Sequence, residues 1–256
     1  MQVEIKLTES IAEIVLNRPD KLNAMGDMMV GDIYSHLETA EAAGVRAVIF
    51  RAEGRAFSAG RDLEGVDAAK DNAEKVLGMF NRLISRVANF PAPTFAAVQG
   101  ACLGAGLGVA LACDVVYVAN DAKLGSPFAK IGAVLDSGAH SHFVQRLGTH
   151  RALELIYTGE LISGKEAAAI GLVNRSFDSA ELLEKVRSVA RSVANGPTAA
   201  FLESKRIIRK IENEGIGLGE VMALEVRAQT AASRTADYRE GFSAFQQKRL
   251  PKFAGK

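Results

Sequence analysis

The sequence predicts an α/β fold wound as a coil of ββα units, followed by a helical C-terminal region. Three observations predict it. In the first half, short apolar strand-like segments recur with turns between them ahead of an amphipathic run, three times over. From Ser137 onward the periodicity is almost entirely helical. Within the first half lies Gly100-Ala-Cys-Leu-Gly-Ala-Gly-Leu-Gly108, where glycines are dense enough for main chain to approach a ligand closely.

Val3 to Leu7 and Ile11 to Leu16 alternate apolar and polar residues around Glu9-Ser10, the pattern of a hairpin, and Asn17-Arg18-Pro19-Asp20 breaks the second strand. A helix is expected from about Gly26 to Ala43, with Met25, Met28, Met29, Ile33 and Leu37 on one side and Gly44 at its end. Ala47-Val-Ile-Phe50 reads as a buried strand. The loop Glu53 to Leu63 has small residues flanked by Phe57 and Leu63, so it should run close to something. A helix from about Asn72 to Ala88 leads to the Pro91-Ala-Pro93 turn, and Thr94 to Gln99 is the strand that enters the glycine-rich stretch. Val109 to Asp114 continues the helix begun there, and Val115 to Ala119 is a further strand.

In the second half one short strand is expected at Leu172-Val-Asn174. Ser163-Gly-Lys-Glu166 is a capping box that opens a helix to Ile170, stopped by Gly171. Helical runs follow over about Ala180 to Ala194, Thr198 to Glu214, Leu218 to Ala232 and Thr235 to Gln247. The last two have no strand to cover them, so their apolar faces call for another surface, which oligomerisation supplies.

The chain of 256 residues is long enough to bury a full core, and nothing in it requires two independent domains. Its net charge is +1 with both signs interspersed, which marks neither a nucleic-acid surface nor a membrane-binding face and points to a small-molecule partner. Two cysteines in apolar surroundings, with no signal peptide or long apolar span, lead to the expectation of a reduced, cytoplasmic protein with packing cysteines. The four histidines show no metal-ligand spacing.

Two readings of the glycine-rich turn stand side by side. It is an ordinary strand-to-helix turn, or it is a binding turn in which the free N–H groups and positive dipole end of the helix hold a developing negative charge. Nucleotide fingerprints do not account for it: Gly104-Ala-Gly106-Leu-Gly108 lacks the dinucleotide spacing, and no lysine-hydroxyl pair follows as in a phosphate loop.

Several separated motifs together resemble one family, the enoyl-CoA hydratase/isomerase (crotonase) superfamily, over essentially the whole chain. They are Asn17-Arg-Pro19 with Leu22-Asn-Ala24, Phe57-Ser-Ala-Gly-Arg-Asp62, Pro93 through Gly108 with Cys113-Asp114, Ile131-Gly132, and the ending Phe242 to Phe253. The resemblance implies a ββα spiral core over residues 1–195. It implies a C-terminal helical region over 196–256 that makes trimers, or hexamers as dimers of trimers, and an acyl-CoA thioester as substrate. It also implies an oxyanion hole made by the N–H groups of Arg61 and Ala105, because removing a proton from the acyl chain makes an enolate whose oxygen must be held. Ala59 and Asp62 are placed at the adenine pocket, Ala24 against the CoA, Arg18 or Lys21 at its phosphates, and Phe245 and Lys248 as its cover. Apart from the resemblance, Asp62 also reads as a helix N-cap before Leu63-Glu64, and Lys248-Arg249 as a solvated end.

The chain departs from the family's hydratases where they carry two glutamates: those positions read Gly108 and Phe128, neither of which transfers a proton. A single carboxylate follows at Asp136, resembling the position of the acidic residue in the family's Δ3,Δ2-enoyl-CoA isomerases and in the ring-epoxide isomerases of phenylacetate degradation. One base suits isomerisation, taking a proton at one carbon and returning it at another. An apolar frame of Phe128, Ile131, Val134 and Leu135 is expected to desolvate Asp136 and raise its pKa. Asp136 reads equally as the N-cap of a helix beginning near Ser137, with His140 one helical turn above it.

The resulting expectation is an acyl-CoA isomerase with Asp136, Arg61 and Ala105 at its centre, no metal or flavin, and no nucleic-acid or membrane partner. The alternatives are a hydratase-like lyase, an aryl-CoA dehalogenase, disfavoured because Phe80 to Phe90 holds no histidine, and a non-catalytic CoA-binding relative.

Overall fold

The computed structural model describes residues 1–256 and is a coil of ββα units carrying a helical C-terminal region. Strands β1 (Val3–Thr8) and β2 (Ile11–Leu16) form the expected antiparallel hairpin, with Val3 opposite Leu16, and helix α1 (Asp27–Ala42) closes the first unit. The second unit is β3 (Ala47–Ala52), an isolated bridge from Ser58 to Cys102, and α2 (Ala73–Ala88), whose Asn72 caps it by accepting the Lys75 N–H at 3.0 Å. The third is β4 (Thr94–Val98), β5 (Ala101–Leu103) and α3 (Ala105–Ala112); β6 (Val115–Ala119) and β7 (Lys123–Gly125) begin the next.

Strands β3 and β4 are buried along their whole length, as continuous apolar strands in a parallel sheet must be. They lie in a six-stranded sheet ordered β1-β2-β3-β4-β6-β9, parallel except at the β1–β2 edge, in which β9 is Arg175–Phe177. Strands β5, β7 and the two-residue β8 (Ile162–Ser163) form a second, three-stranded sheet beside it.

Helices α4 (Ala139–Leu147), α5 (Thr149–Thr158), α6 (Gly164–Ala169), α7 (Ser179–Ala194), α8 (Thr198–Glu214), α9 (Leu218–Ala232) and α10 (Ala236–Gln246) follow. Ser163 accepts the Glu166 N–H at 3.1 Å, which is the predicted cap of α6. The expected strand at Leu172-Val-Asn174 is displaced to Arg175–Phe177. Leu172 and Val173 are buried as packing residues in a turn, and Asn174 takes the strand-like bonds with Val116 by main chain and by Oδ1. Helix α7 lies on the sheet, whereas Ile207, Leu224 and Ala228 of α8 and α9 form a small apolar cluster of their own.

Charged contacts anchor the far end of α3. Arg146 and Arg209 donate to the Leu111 and Ala112 carbonyls at 3.1 and 3.2 Å, cations placed where the helix dipole is negative. Asp114 accepts from Lys205 at 2.9 Å and from the Thr94 N–H at 2.8 Å. No helix of the chain is long and apolar enough to cross a membrane.

Candidate active site

The site is built at the C-terminal ends of β2, β3 and β4, where three turns converge. The first turn places Leu22 and Asn23 in the left-handed region. Asn23 is buried and compensates for that backbone with three hydrogen bonds: its amide donates to the Glu53 and Ala56 carbonyls at 3.0 and 2.8 Å, and its Oδ1 accepts the Arg18 N–H at 2.7 Å. The second turn, Phe57 to Asp62, is tied to the first because Ser58 Oγ donates to the Asn23 carbonyl at 2.8 Å and Ala59 N–H donates to the Leu22 carbonyl at 2.9 Å.

The third turn is the glycine-rich one. Gly104 has φ 49° and ψ −121°, a conformation open in practice only to glycine, and it turns β5 directly into α3. The second and third turns touch closely. A Cβ on Gly60 would lie 2.8 Å from the Leu103 carbonyl oxygen and 3.6 Å from the Ala105 nitrogen, and one on Gly106 would lie 2.6 Å from Ser58 Cβ. Arg61 therefore follows directly on the contact with Ala105. The Met25 and Asp62 main chains pair across Arg61 without using its N–H, and neither the Arg61 nor the Ala105 N–H has an acceptor in the chain. These two unused donors sit on turns that touch at the positive end of α3, an arrangement compatible with holding an oxyanion.

Asp136 enters from the segment before α4. It is half-buried, and burial is the main cause that pushes its carboxyl above the usual aspartate range; the Ser137 hydroxyl, Arg61 and His140 pull in the opposite direction. Its Oδ1 accepts from Ser137 Oγ at 2.7 Å. Helix α4 begins at Ala139 with Gly138 before it and no side-chain cap, so the N-cap reading of Asp136 is corrected. The left-handed pair Ser137 and Gly138 interrupts the chain between Asp136 and the helix. For the same reason His140 is an exposed first-turn residue of α4 and does not stack on Asp136 by helical spacing.

The expected apolar frame is also corrected. Leu135 is buried and Phe128 partly so, but Ile131 is 66% exposed and Val134 78% exposed, which leaves them as poor insulators of Asp136. The segment that carries Asp136 instead approaches α3 closely through the next residue, Ser137. A Cβ on Gly108 would lie 2.5 Å from the Ser137 carbonyl oxygen and 3.1 Å from Ile84 Cδ1. Position 108 is thus filled from outside by Ser137. Phe128, at the other glutamate position, packs its ring edge on the glycine turn, 3.5 Å from where a Gly104 Cβ would be.

Arg18, Ala24, Ala59 and Asp62 come together beside this centre: Arg18 Nη1 donates to the Ala24 carbonyl at 3.3 Å and pairs with Asp62 Oδ2. Asp62 also accepts the Glu64 N–H at 3.0 Å, and this bond, followed by Arg18, holds its pKa down. Residues 63–72 form turns and no helix, so Asp62 closes an Asx turn and is not a helix cap. Lys21 pairs with Glu64 at 2.9 Å. Sequence reasoning passed over Asp71, whose carboxylate takes both Arg61 guanidinium nitrogens at 2.6 and 2.7 Å, and Ser137; the Ser-Gly pair after Asp136 was the available signal for the latter.

Phe245 and Lys248 are not brought to this centre within one chain. Phe245 is 85% exposed in a groove with Pro197, Phe242 and Phe253. That groove is anchored by Arg46, which donates to Thr198 Oγ1 at 2.9 Å and to the Phe253 carbonyl at 3.2 Å, immediately before β3. The site lies past the other end of that strand, roughly 18 Å away. Cys102 and Cys113 are buried, and burial pushes both thiols up, away from any nucleophilic role.

The family model described as enoyl-CoA hydratase/isomerase matches residues 6–256. The chain is 33% identical over 254 residues to the 1,2-epoxyphenylacetyl-CoA isomerase of Escherichia coli K12, covering 97% of this chain and 96% of that protein. It is 35% identical over 258 residues to the mitochondrial enoyl-CoA hydratase domain-containing protein 2 of Bos taurus, covering 96% and 85% of the two chains. Among solved structures, an enoyl-CoA hydratase from Bacillus anthracis superposes with a TM-score of 0.92 at 30% identity, covering each chain completely.

Proposed function

Because the chain belongs to the enoyl-CoA hydratase/isomerase family, a family of acyl-CoA enzymes, we propose that it is an isomerase that shifts a double bond within an acyl-CoA thioester. One observation carries this reading above hydration. Neither position that holds the hydratases' glutamates carries a proton-transferring group here, being Gly108, against which Ser137 packs, and Phe128, which packs on Gly104, while a single half-buried carboxylate, Asp136, follows in the same segment.

In this reading the thioester oxygen accepts from the N–H groups of Arg61 and Ala105. Asp136 removes a proton from the carbon next to the thioester, the electron pair moves into the carbonyl to give a dienolate, and Asp136 returns the proton at the γ carbon. No net charge is created and no water is consumed. The raised pKa of Asp136 brings base and conjugate acid closer in energy, as a group that must both take and give a proton requires. Each oxyanion donor contributes about 3–4 kcal/mol to such a step. The acyl group is a straight 3-enoyl chain or a ring-derived one such as the substrate in the name of the E. coli relative.

The CoA is held by Arg18, Ala24, Ala59 and Asp62 of the same chain. Since Phe245 and Lys248 lie at the opposite end of the sheet, they cover the CoA of a neighbouring subunit in a trimer or a dimer of trimers. Residues 1–195 then serve as the catalytic core and 196–256 as the assembling region. No metal or flavin takes part in this scheme.

The test is absorbance-monitored conversion of a 3-enoyl-CoA to its conjugated 2-enoyl isomer, with the intact protein and with Asp136→Asn. Conversion lost by more than about 100-fold in the variant, with thioester binding retained, supports the reading. Equal rates in the two proteins would refute it.

A further inference from the structure

The two carboxylate oxygens of Asp136 have unequal surroundings. Oδ1 accepts from Ser137 Oγ at 2.7 Å, and no donor of the chain reaches Oδ2. Ser137 is buried, its backbone is left-handed at φ 57°, and the Asp136 carboxylate is the sole hydrogen-bond partner of its hydroxyl. Its carbonyl and Cβ press on α3 at Gly108, where even a methyl group would collide at 2.5 and 2.7 Å. A buried serine in a conformation that favours glycine, wedged against a helix and offering its hydroxyl only to a carboxylate, is placed for that carboxylate.

Resting on the reading of Asp136 as the base, we propose that Ser137 is the positioning residue of the proton shuttle. Its hydroxyl holds Oδ1, so that Oδ2 alone takes the proton from the α carbon and returns it to the γ carbon, with the electron pair held meanwhile on the thioester oxygen. Gly108 belongs to the same device: it is small because Ser137 occupies the space where a hydratase glutamate would stand. The titratable and charged groups facing the carboxylate are Arg61, from the turn after β3, and His140, from α4; Arg61 is itself paired with Asp71. His142, further along α4, is held neutral, its pKa lowered by burial to about 4.

The experiment compares Ser137→Ala and Ser137→Gly with the intact protein; the glycine variant suits the left-handed backbone and guards against a folding defect. Two readouts are taken: the titration of the Asp136 carboxyl, followed by carbon NMR in the substrate-free protein, and kcat with KM for the 3-enoyl thioester. The proposal expects the carboxyl titration to move upward by about one pH unit in both variants, as one charge-assisted hydrogen bond to the ionised form is lost. It expects kcat to fall about tenfold with little change in KM. An unmoved titration, or an unmoved kcat, overturns it. If Asp136→Asn keeps its turnover the base reading fails by itself, and the carboxyl titration still decides separately whether Ser137 holds Oδ1.

Discussion

Gly108→Ala tests the packing on which the exclusion of hydration rests. The added Cβ would stand 2.5 Å from the Ser137 carbonyl oxygen, 2.7 Å from Ser137 Cβ and 3.1 Å from Ile84 Cδ1. Ordinary contact begins near 3.4 Å, so the backbone at Ser137 must retreat by close to 1 Å, and it is main chain that has to move. Overpacking of this kind costs about 1–3 kcal/mol. For a chain of this size that is a Tm loss of roughly 2–4 °C per kcal/mol. A 1 Å retreat also carries Asp136 with it, and misplacement on that scale costs on the order of 100-fold in rate. Urea unfolding and kcat for the 3-enoyl thioester measure the two effects. The matched control is Gly31→Ala on α1, where nothing lies within 4 Å and helix propensity favours alanine by about 0.5–1 kcal/mol. A Gly108→Ala protein as stable and as active as the parent would refute the claim that Ser137 fills this position.

Asp136→Asn should stabilise the fold at neutral pH while abolishing conversion. Burial raises the folded-state pKa, so the group's contribution is favourable below the ordinary carboxylate range near 3.8 and is lost as pH rises; the asparagine variant is therefore the more stable one at pH 7, and the gap closes on acidification in a thermal-melt series. His142 works in the other direction. Its folded pKa is lowered from 6.5 to about 4, chiefly by burial and then by Arg146 and Arg209, so stability falls as pH drops between those values, by about 3 kcal/mol, and His142→Gln flattens that slope in urea titrations. Arg61→Ala keeps its main-chain N–H and should hold kcat within about tenfold. Loss comparable to removing an oxyanion donor, about 100-fold or more, would show that the side chain rather than the backbone acts.

Strands β1 to β4 and β6 and most helix bounds were legible because local signals agreed with the tertiary outcome: the hairpin around Glu9-Ser10, the capping residues Asn72 and Ser163, and the apolar runs at Ala47 and Thr94. Strands β5, β7 and β8 escaped because two or three residues carry no period. Strand β9 was misplaced because Leu172 and Val173 are apolar for packing and not for a ladder. At the site, Arg61, Ala105 and Asp136 were named by the resemblance alone, the structure brings the turns of Arg61 and Ala105 into contact, and Arg18, Ala24, Ala59 and Asp62 gather beside them. The environment of Asp136 was not readable, since apolar character does not say which way Ile131 and Val134 point. Nor does spacing along a chain reveal that Phe245 lies a full strand length from Asp62.

The measurement that bears most directly on the single-carboxylate mechanism is mass spectrometry of the product formed from a 3-enoyl-CoA in water enriched in both deuterium and oxygen-18. A proton shuttle through Asp136 predicts a 2-enoyl product that carries deuterium at the γ carbon to the extent that the base exchanges with solvent, contains no oxygen-18, and is absent with Asp136→Asn. A 3-hydroxyacyl product labelled with oxygen-18, formed at the same rate by the intact protein and the variant, would contradict it.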